Sequence, residues 1–423
     1  MKKLVIITLL IISNILAYAQ IGGALNKARN NIEKGSVNKV DSESKNQTSD
    51  KIAETSENIN NIGQVTATNQ PAQTSVPQDQ GSIKAYSKYD FVPGEKIIAF
   101  EDFMQTGVGD FPDRWNTNAS AEVVTIDGKQ GHWLMFTKGG VFAPELTNKL
   151  PDNFTFEFDL LCSNPFNPSG ITNFFTCFTE LGNPSQPQGW QGSNNVYSTS
   201  VFPRSGDELS SSTSDSRKNA VSEPQNATST RQFNSTRSNP VHVSIWRQKE
   251  RVRVYLNEEK TWDLPKGIAV DAAFNAVVFY IQYVDGPGRY YVNNIRLAIG
   301  APDTRNKFLT EGKWVTHGIL FDVNSDNIKP QSYGSLKEMA NVLKENADVK
   351  VKIIGHTDAD GDDKSNLDLS KRRATSVKVA LTKEFSIDEN RMETDGKGES
   401  EPIDKNDNPA GKANNRRVEF MKL

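Results

Sequence analysis

Charged residues with the spacing of a binding or catalytic site lie in the stretch IIGHTDADGDDKSNLDLSKRRATSV, residues 353–377. The stretch begins with an apolar run typical of a strand, crosses an acid-rich turn and enters a basic segment typical of a helix. Three kinds of chemistry fit such a cluster: a metal site, a pair of catalytic groups, or a receptor for a ligand that carries both charges. The residue types and their spacing distinguish among them.

The acid-rich turn lacks the full pattern of a metal site or of a catalytic site. A calcium loop that began at Asp358 would need glycine at its sixth position and glutamate at its twelfth, but these positions hold Asp363 and Leu369. His356 has no second histidine or cysteine at a zinc-ligand spacing. His356 and Ser370 form an isolated pair without a nucleophile motif. The sequence therefore predicts no metal, no cofactor and no catalysis in this segment.

Complementary charge is the remaining chemistry of the stretch. Asp358 leaves the end of a predicted strand, where α/β sheets place their binding sites, and Arg373 lies on the helix that follows. A carboxylate suits an ammonium group, and a guanidinium group binds a carboxylate with two hydrogen bonds. Together the two residues fit the zwitterionic head of an amino acid. The alternative is that Asp358 and Arg373 pair with each other as a structural salt bridge.

Alternating and helical patterns around this stretch predict a compact α/β domain at residues 305–423, with the order β-α-β-α-β. Leu369, Arg373 and Val377 lie on one face of its second helix, so Arg373 can turn towards the acidic loop. The other predicted elements are strands at 317–323, 349–355 and 416–422 and a helix at 330–346.

Residues 94–300 carry aromatic and β-branched residues in period-two runs, which indicate strands. Seven or more such strands predict a β-sandwich of jelly-roll type, and a membrane-embedded barrel is the competing interpretation because its strands also alternate. A Ser/Asn-rich insert near 182–240 is predicted to be disordered. The runs are KIIAF (96–100), HWLMFTK (132–138), FTFEFDLL (154–161), VHVSIWR (241–247), RVRVYL (251–256), AVVFYIQYV (276–284) and YYVNNIRLA (290–298).

This region resembles the concanavalin-like lectin and glucanase jelly rolls, with FEDF (100–103) before PDRW (112–115) and a similar closing strand. Glucanases of this shape carry the motif Glu-x-Asp-x-x-Glu, because retaining hydrolysis needs two closely placed carboxylates. Here Glu157 and Asp159 are followed by Cys162 at the position of the second glutamate. We therefore interpret the two acids as solvent-facing. Cys162 and Cys177 predict either a disulfide or two buried free thiols.

The N-terminus has the pattern of an export signal. Two lysines, an apolar run and the small-residue pattern Ala17-Tyr18-Ala19 predict a signal peptide at residues 1–19, cleaved before Gln20. Residues 20–93, rich in Ser, Thr, Asn and Gln, predict a disordered polar linker. The residue directly after the predicted cleavage site is Gln20 rather than a cysteine, so a lipid anchor on an N-terminal cysteine is not expected.

The overall charge gives no sign of a nucleic-acid partner. Lys and Arg total 49 and Asp and Glu total 52, which leaves a net charge of −3. No basic field therefore attracts nucleic acid, and partners must be inferred from local sites.

The C-terminal motifs resemble the OmpA-like peptidoglycan-binding domain, the family shared by the C-terminal parts of OmpA and MotB. They are FDVNSDNIKP (321–330), GHTDADG (355–361), the pattern N-x-x-LS-x-x-RA that starts at Asn366, and NNRRVEF (414–420). The resemblance covers residues 319–423.

This resemblance implies a ligand and the residues that bind it. Asp358 and Arg373 are expected to hold the amine and the carboxylate of the meso-diaminopimelate in a peptidoglycan stem peptide. The supporting positions of the family correspond here to Asn324, Thr357, Asn366 and either Arg416 or Arg417. Two departures from the family pattern are Ser365, where Tyr or Lys is usual, and the extra acids Asp360, Asp362 and Asp363.

Together these features predict a non-enzymatic protein that is exported to the periplasm of a Gram-negative bacterium and is associated with the cell wall and outer membrane. The C-terminal domain binds peptidoglycan, and the sandwich contacts an outer-membrane protein or a glycan. The alternatives are a wall-anchored glycan hydrolase or lectin that acts through the sandwich, and a barrel protein of the outer membrane.

Overall fold

The computed structural model describes residues 89–163, 173–183, 187, 195–203, 210–218, 221–222, 226–233, 239–284, 286–300 and 306–423. The predicted signal peptide and residues 20–88 of the predicted linker lie outside the described residues. The linker prediction is wrong at its C-terminal end, because Tyr89, Phe91 and Val92 are at most 3% exposed to solvent. Burial of three apolar side chains within four residues is enough to order this end.

The first part of the described chain is built from strands, and each of the seven predicted runs contains one. In chain order the strands are β1 (Lys96–Glu101), β2 (Trp115–Thr117), β3 (Ala121–Val124), β4 (Trp133–Phe136), β5 (Gly140–Pro144), β6 (Asn153–Cys162), β7 (Phe174–Thr179), β8 (Val196–Phe202), β9 (Ser210–Lys218), β10 (Val221–Ser222), β11 (Asn226–Thr230), β12 (Val241–Gln248), β13 (Arg251–Leu256), β14 (Glu259–Leu264), β15 (Ala276–Ile281) and β16 (Tyr290–Ile299).

These strands form two antiparallel sheets of eight strands each among the described residues. The first sheet has the order β14-β13-β12-β6-β16-β4-β3, and β1 also pairs with β16. The second sheet has the order β10-β9-β8-β7-β15-β5-β2, and β11 also pairs with β9. The predicted jelly-roll arrangement stays a prediction.

An aromatic core lies between the two sheets. Phe154, Phe156 and Phe158 of β6 share one face, as their alternation predicts, and each is at most 1% exposed. The Phe158 ring lies 5.1 Å from that of Phe279 on β15 of the second sheet, and the Phe156 ring lies 5.8 Å from that of Phe178 on β7. Edge-to-face contacts of this kind add to the burial of apolar surface, so this core holds the two sheets together as a sandwich.

The prediction of a disordered insert near 182–240 is wrong for β8 to β11, while the insert's other residues are only partly described. These strands are rich in Ser and Thr, whose hydroxyl groups form hydrogen bonds inside the sheet. Tyr197 pairs with Ser214 at 3.0 Å, and Ser200 pairs with Thr213 at 2.6 Å. A polar sequence can therefore form strands here, because hydroxyl groups that it buries pair with one another inside the sheet.

The interpretation of Glu157 and Asp159 as solvent-facing is also wrong. Glu157 is 2% exposed and accepts two hydrogen bonds from Arg296, at 2.6 and 3.0 Å. His242 lies between the two acids, 3.2 Å from Glu157 and 2.7 Å from Asp159. Arg296 also donates to the backbone oxygen of His317 in the C-terminal domain, at 3.0 Å. The C-terminal domain therefore packs near this charged face of the first sheet, and local alternation could not reveal that contact.

Stability is expected to fall as the pH rises, because His242 is bound between two carboxylates. Burial alone would lower the pKa of His242, but its hydrogen bonds to Asp159 and Glu157 outweigh burial and raise the pKa to about 9. The stabilisation that His242 contributes is fully present below its unfolded pKa of about 6.5. It is lost as the pH rises through about 9, so the free energy of unfolding should fall by roughly 3 kcal/mol across that window. Urea unfolding at a series of pH values measures this change. The variant His242→Gln should show a flatter profile, and an equally steep profile would contradict the assignment.

The two cysteines do not form a disulfide. Cys162 and Cys177 are both free and buried. The Cys162 side chain belongs to the core between the sheets, whereas Cys177 belongs to a separate apolar cluster with Val141 and Val278. Cys162 lies on β6 of the first sheet and Cys177 on β7 of the second, and facing sheets lie about 10 Å apart, which is farther than a disulfide spans. Of the two alternatives, the structure has the buried thiols.

The C-terminal domain contains β17 (Lys313–Thr316), α1 (Tyr333–Glu345), β18 (Val351–His356), α2 (Asp363–Phe385), β19 (Met392–Gly398), α3 (Pro409–Asn415) and β20 (Val418–Lys422). A π-helix (Lys307–Glu311) and two 3₁₀ turns (Pro330–Ser332 and Glu389–Arg391) complete it. The sheet order is β17-β20-β18-β19, and only the pair β18–β19 is parallel. No helix among the described residues has both the length and the apolar character needed to cross a membrane.

This domain differs from the predicted β-α-β-α-β order in three places. The first strand lies at Lys313–Thr316, and in the predicted strand at 317–323 only Phe321 forms a bridge, with Ile328. Strand β19 and helix α3 were not predicted at all. Strand β19 lies beside β18 at the edge of the sheet. The acid-rich turn begins at the carboxyl end of β18.

Residues 89–92 pack between the first sheet and helix α1. The Phe91 ring lies 5.5 Å from the ring of Tyr255 and 6.1 Å from that of Trp246. A Cβ atom on Gly334, in the first turn of α1, would lie 1.9 Å from the backbone oxygen of Phe91, so only glycine fits there. The sandwich and the C-terminal domain belong to one compact unit.

Candidate functional site

The acidic loop, residues 357–362, follows the carboxyl end of β18 and leads into α2. Asp358 is 8% exposed. Its Oδ2 atom accepts a hydrogen bond from Arg416 Nη1 at 2.5 Å, and its Oδ1 atom accepts a longer one from the backbone of Asp360 at 3.3 Å. An ionised carboxylate has about four acceptor positions, so Asp358 keeps room for a further donor.

Arg373 lies on α2, and its hydrogen bonds go to the loop of residues 322–325 rather than to the acidic loop. Its Nε atom donates to the backbone oxygen of Ser325 at 2.9 Å, and its Nη2 atom donates to that of Asp322 at 3.4 Å. The guanidinium carbon lies 4.8 Å from the centre of the Phe321 ring. These two hydrogen bonds use two of the five N–H donors of the side chain. Asp358 and Arg373 therefore have separate partners, unlike a simple salt bridge between them.

Arg373 interacts electrostatically with both Asp358 and Arg416. Burial and the positive charge of Arg416 lower the pKa of Arg373 to about 10, while the carboxylate of Asp358 acts in the opposite direction. Arg373 is still protonated at neutral pH. The site therefore combines one carboxylate with two guanidinium groups, an arrangement that favours a ligand with a carboxylate and a positive group.

The structure distinguishes between the two arginines that the family resemblance left open. Arg416 reaches Asp358. Arg417 is 4% exposed and binds Glu419 through Nε and Nη2, both at 2.8 Å. It also donates to the backbone oxygen of Glu401 at 2.9 Å. Arg416 therefore lies at the acidic loop, whereas Arg417 forms an internal ion pair.

Asn366, in the first turns of α2, holds the acidic loop in shape. Its Nδ2 atom lies 3.0 Å from the backbone oxygen of Asp360 and 3.4 Å from the backbone oxygen of Asp358. The same atom lies 2.6 Å from Glu399 Oε2. Each contact fixes a different part of the loop or of the segment after β19. Asn366 is thus placed to orient Asp358.

The other two predicted site residues have different environments. The Thr357 hydroxyl is buried and has no hydrogen-bond partner within the described part of the chain. Asn324 is exposed and has a left-handed backbone with φ of 52°, in the same loop as the carbonyl groups that bind Arg373. Thr357 therefore lies at the base of the acidic loop, and Asn324 lies beside Arg373.

Asp360 and Asp362, two of the three extra acids, have partners within the domain. Asp360 binds Lys412 Nζ at 2.7 and 3.0 Å, and Asp362 caps α2 by accepting from the backbone of Ser365 at 3.1 Å. Among the described residues, no group of three or more His, Cys, Asp or Glu side chains is placed to hold a metal ion. Sequence reasoning missed Lys412 and Glu399, because both follow β18 by more than forty positions and lie in a segment interpreted as a loop.

Part of the C-terminal domain matches a known protein family. Residues 320–416 match the model of the OmpA family. Outer membrane porin F of Pseudomonas aeruginosa is 37% identical over 101 residues, which are 24% of this chain and 29% of that protein. Outer membrane protein Omp38 of Acinetobacter baumannii is 40% identical over 110 residues, which are 26% of this chain and 31% of that protein. The chain thus spans about a third of the length of these curated relatives.

Among solved structures, the peptidoglycan-associated lipoprotein from Burkholderia pseudomallei is 26% identical, and the match covers 29% of this chain and 98% of that one with a TM-score of 0.25. The family match begins just after β17 and ends at Arg416. It therefore includes Asp358, Asn366, Arg373 and Arg416. Residues 320–416 of this chain are an OmpA family domain.

Proposed function

We propose that this chain is a non-enzymatic protein of the Gram-negative cell envelope that binds peptidoglycan non-covalently through its OmpA family domain. The ligand is the diaminopimelate of the stem peptides. The observation that carries this proposal is the placement of the Asp358 carboxylate beside Arg416 and in the field of Arg373.

The ammonium group and the carboxylate of the diaminopimelate bind different side chains. The ammonium group binds Asp358, which keeps acceptor positions beyond its bonds to Arg416 and Asp360. The carboxylate binds Arg373, whose planar fork retains donors beyond its bonds to the loop of Asp322 and Ser325. Arg416 neutralises part of the charge of Asp358 and adds to the positive field that attracts the ligand carboxylate.

The sandwich is proposed to act as a binding or linking module towards an outer-membrane protein or a glycan. An enzymatic role at the position of the glucanase carboxylates is disfavoured by the environment of Glu157 and Asp159. Both acids are bound to His242, and Glu157 is also bound to Arg296. A general acid or nucleophile needs access to substrate, which a 2% exposed carboxylate in an ion pair does not have.

An envelope location is supported by the names of the relatives, an outer membrane porin and an outer membrane protein. The predicted signal peptide supports the same proposal. The chain is proposed to reside in the periplasm, against the cell wall and outer membrane.

Binding to sacculi of two chemistries tests the ligand. Sacculi with meso-diaminopimelate in their stem peptides are expected to sediment the chain, whereas sacculi with lysine at that position should sediment it at least about tenfold less efficiently, because lysine lacks the carboxylate that Arg373 binds. Free meso-diaminopimelate should release the chain from the pellet. Equal sedimentation with both kinds of sacculi would refute this ligand.

A further inference from the structure

The ligand site of the C-terminal domain is in contact with the sandwich. The guanidinium carbon of Arg416 lies 5.3 Å from the centre of the Phe100 ring, and Phe100 belongs to β1 of the sandwich. The Nη1 atom of the same guanidinium group binds Asp358. The arginine that holds the central carboxylate of the site therefore lies between the two domains.

The segment that carries Arg416 is fixed to the same strand. Asn414 accepts a hydrogen bond from the backbone N–H of Ile97 at 3.0 Å and donates to the backbone oxygen of Ile97 at 2.8 Å. The backbone oxygen of Asn414 lies 3.0 Å from His317 Nε2. Burial lowers the pKa of His317 to about 4, so the ring is neutral and donates one N–H at physiological pH. The end of helix α3 is thus fixed against β1 two residues before Arg416.

Apolar packing completes this contact. Ile97 and Ala298 of the sandwich form a buried cluster with Ala413 of α3, and Phe100 packs against it. The Phe100 ring is therefore held in place by the sandwich, so its face is a fixed support for the arginine.

We infer that Phe100 is a positioning residue of the ligand site: the sandwich holds Arg416 on Asp358 and so sets the affinity of the C-terminal domain for diaminopimelate. The inference rests on the proposed function. An arginine side chain loses rotamer entropy when it is fixed, and a site that is ordered before the ligand arrives does not lose that entropy on binding. The face of an aromatic ring attracts a guanidinium group and so keeps it ordered.

The test uses the full chain and a soluble stem peptide that contains meso-diaminopimelate, with affinity measured by calorimetry. Phe100→Leu keeps an apolar side chain of similar size but removes the aromatic face, and it should weaken binding about three- to tenfold. Phe100→Tyr keeps that face and should bind like the parent. A purely structural contact would instead respond to size, so leucine would then bind as well as the parent.

A double-mutant comparison links the effect to Arg416. In the Arg416→Ala background, Phe100→Leu should cause no further loss of affinity, because the side chain that Phe100 positions is gone. The inference is overturned if Phe100→Leu binds like the parent, if Phe100→Tyr loses as much as leucine, or if the leucine effect persists in full without Arg416. If the parent itself does not bind the peptide, the proposed function fails first and the inference falls with it.

Discussion

Replacing Asp358 or Arg373 by alanine is expected to abolish sedimentation with diaminopimelate sacculi while changing the melting temperature little. Each replacement removes one of the two groups that bind the ligand, and loss of one partner from a buried charged contact costs about 2–5 kcal/mol. For Asp358→Ala, the effect on folding is small because the Arg416 side chain is 38% exposed and returns to water when Asp358 is lost. Such partly exposed ion pairs contribute about 0–1 kcal/mol.

The neighbouring Arg372 provides a matched control for this experiment. It lies on the same helix and binds Asp326 and Asp368 at 2.6 and 2.9 Å, with 45% of its side chain exposed. Arg372→Ala removes the same charge and should leave sedimentation unchanged. If it abolishes sedimentation as well, general charge attraction explains binding better than a specific site.

Arg373→Lys sharpens the same prediction. Lysine keeps the positive charge but loses the planar fork, so a bidentate contact to the ligand carboxylate should weaken markedly. Near-UV circular dichroism must be recorded in parallel, because Arg373 also binds the loop carbonyl groups of Asp322 and Ser325. Loss of binding only together with loss of the folded signal would assign Arg373 a structural role, and full binding by the lysine variant would remove the bidentate contact from the mechanism.

Arg296→Ala is expected to destabilise the compact unit by about 3–5 kcal/mol, because it leaves the buried carboxylate of Glu157 without its main partner. The ion pair is nearly inaccessible, with side-chain exposures of 9% and 2%. Arg296 also contributes the hydrogen bond to His317 that joins the sandwich to the C-terminal domain. Urea unfolding followed by tryptophan fluorescence measures the loss.

An exposed pair of similar geometry is the control for Arg296. Arg251 binds Asp263 with two hydrogen bonds, at 2.8 and 2.9 Å, but 42% of its side chain is exposed. Arg251→Ala should therefore cost about 0–1 kcal/mol. If Arg296→Ala costs no more than Arg251→Ala, the buried pair does not stabilise the domain junction.

The strands of the sandwich could be predicted because their alternation is a local property. The run FTFEFDLL alternates, so Phe154, Phe156 and Phe158 must share one face of a strand there, and in the structure all three lie in the core. The opposite face was not predicted correctly, because the side chains that bind Glu157, those of His242 and Arg296, come 85 and 139 positions later in the chain. Local periodicity shows which residues share a face, but it does not show what covers that face.

Strand β19 shows a second limit of sequence patterns. Its residues, METDGKG, have almost no apolar alternation. A Cβ atom on Gly396 would lie 2.4 Å from Lys371 N and from Ser370 Oγ, so this strand packs by bringing its backbone close to α2. Packing of this kind needs small residues rather than apolar ones, so it leaves no period-two signal.

The candidate site was predictable in its residue types but not in its pairing. Charge and spacing singled out Asp358 and Arg373, and the family resemblance supplied Asn366 and the two arginines. The pair that the structure shows joins Asp358 to a residue 58 positions away. Only the folded sheet brings β18 and β20 side by side and so makes that contact.

The contacts of residues 89–97 have a consequence for how the chain is made. Asp90 binds a residue 165 positions later, and Ile97 binds one 317 positions later. At a synthesis rate of roughly 5–20 residues per second, the partner of Ile97 appears about 15–60 seconds after Ile97 itself. During that interval the apolar side of β1 lacks its C-terminal cover and its backbone edge is open to wrong pairing. Strand β1 therefore cannot complete its contacts until the segment around Asn414 has been made.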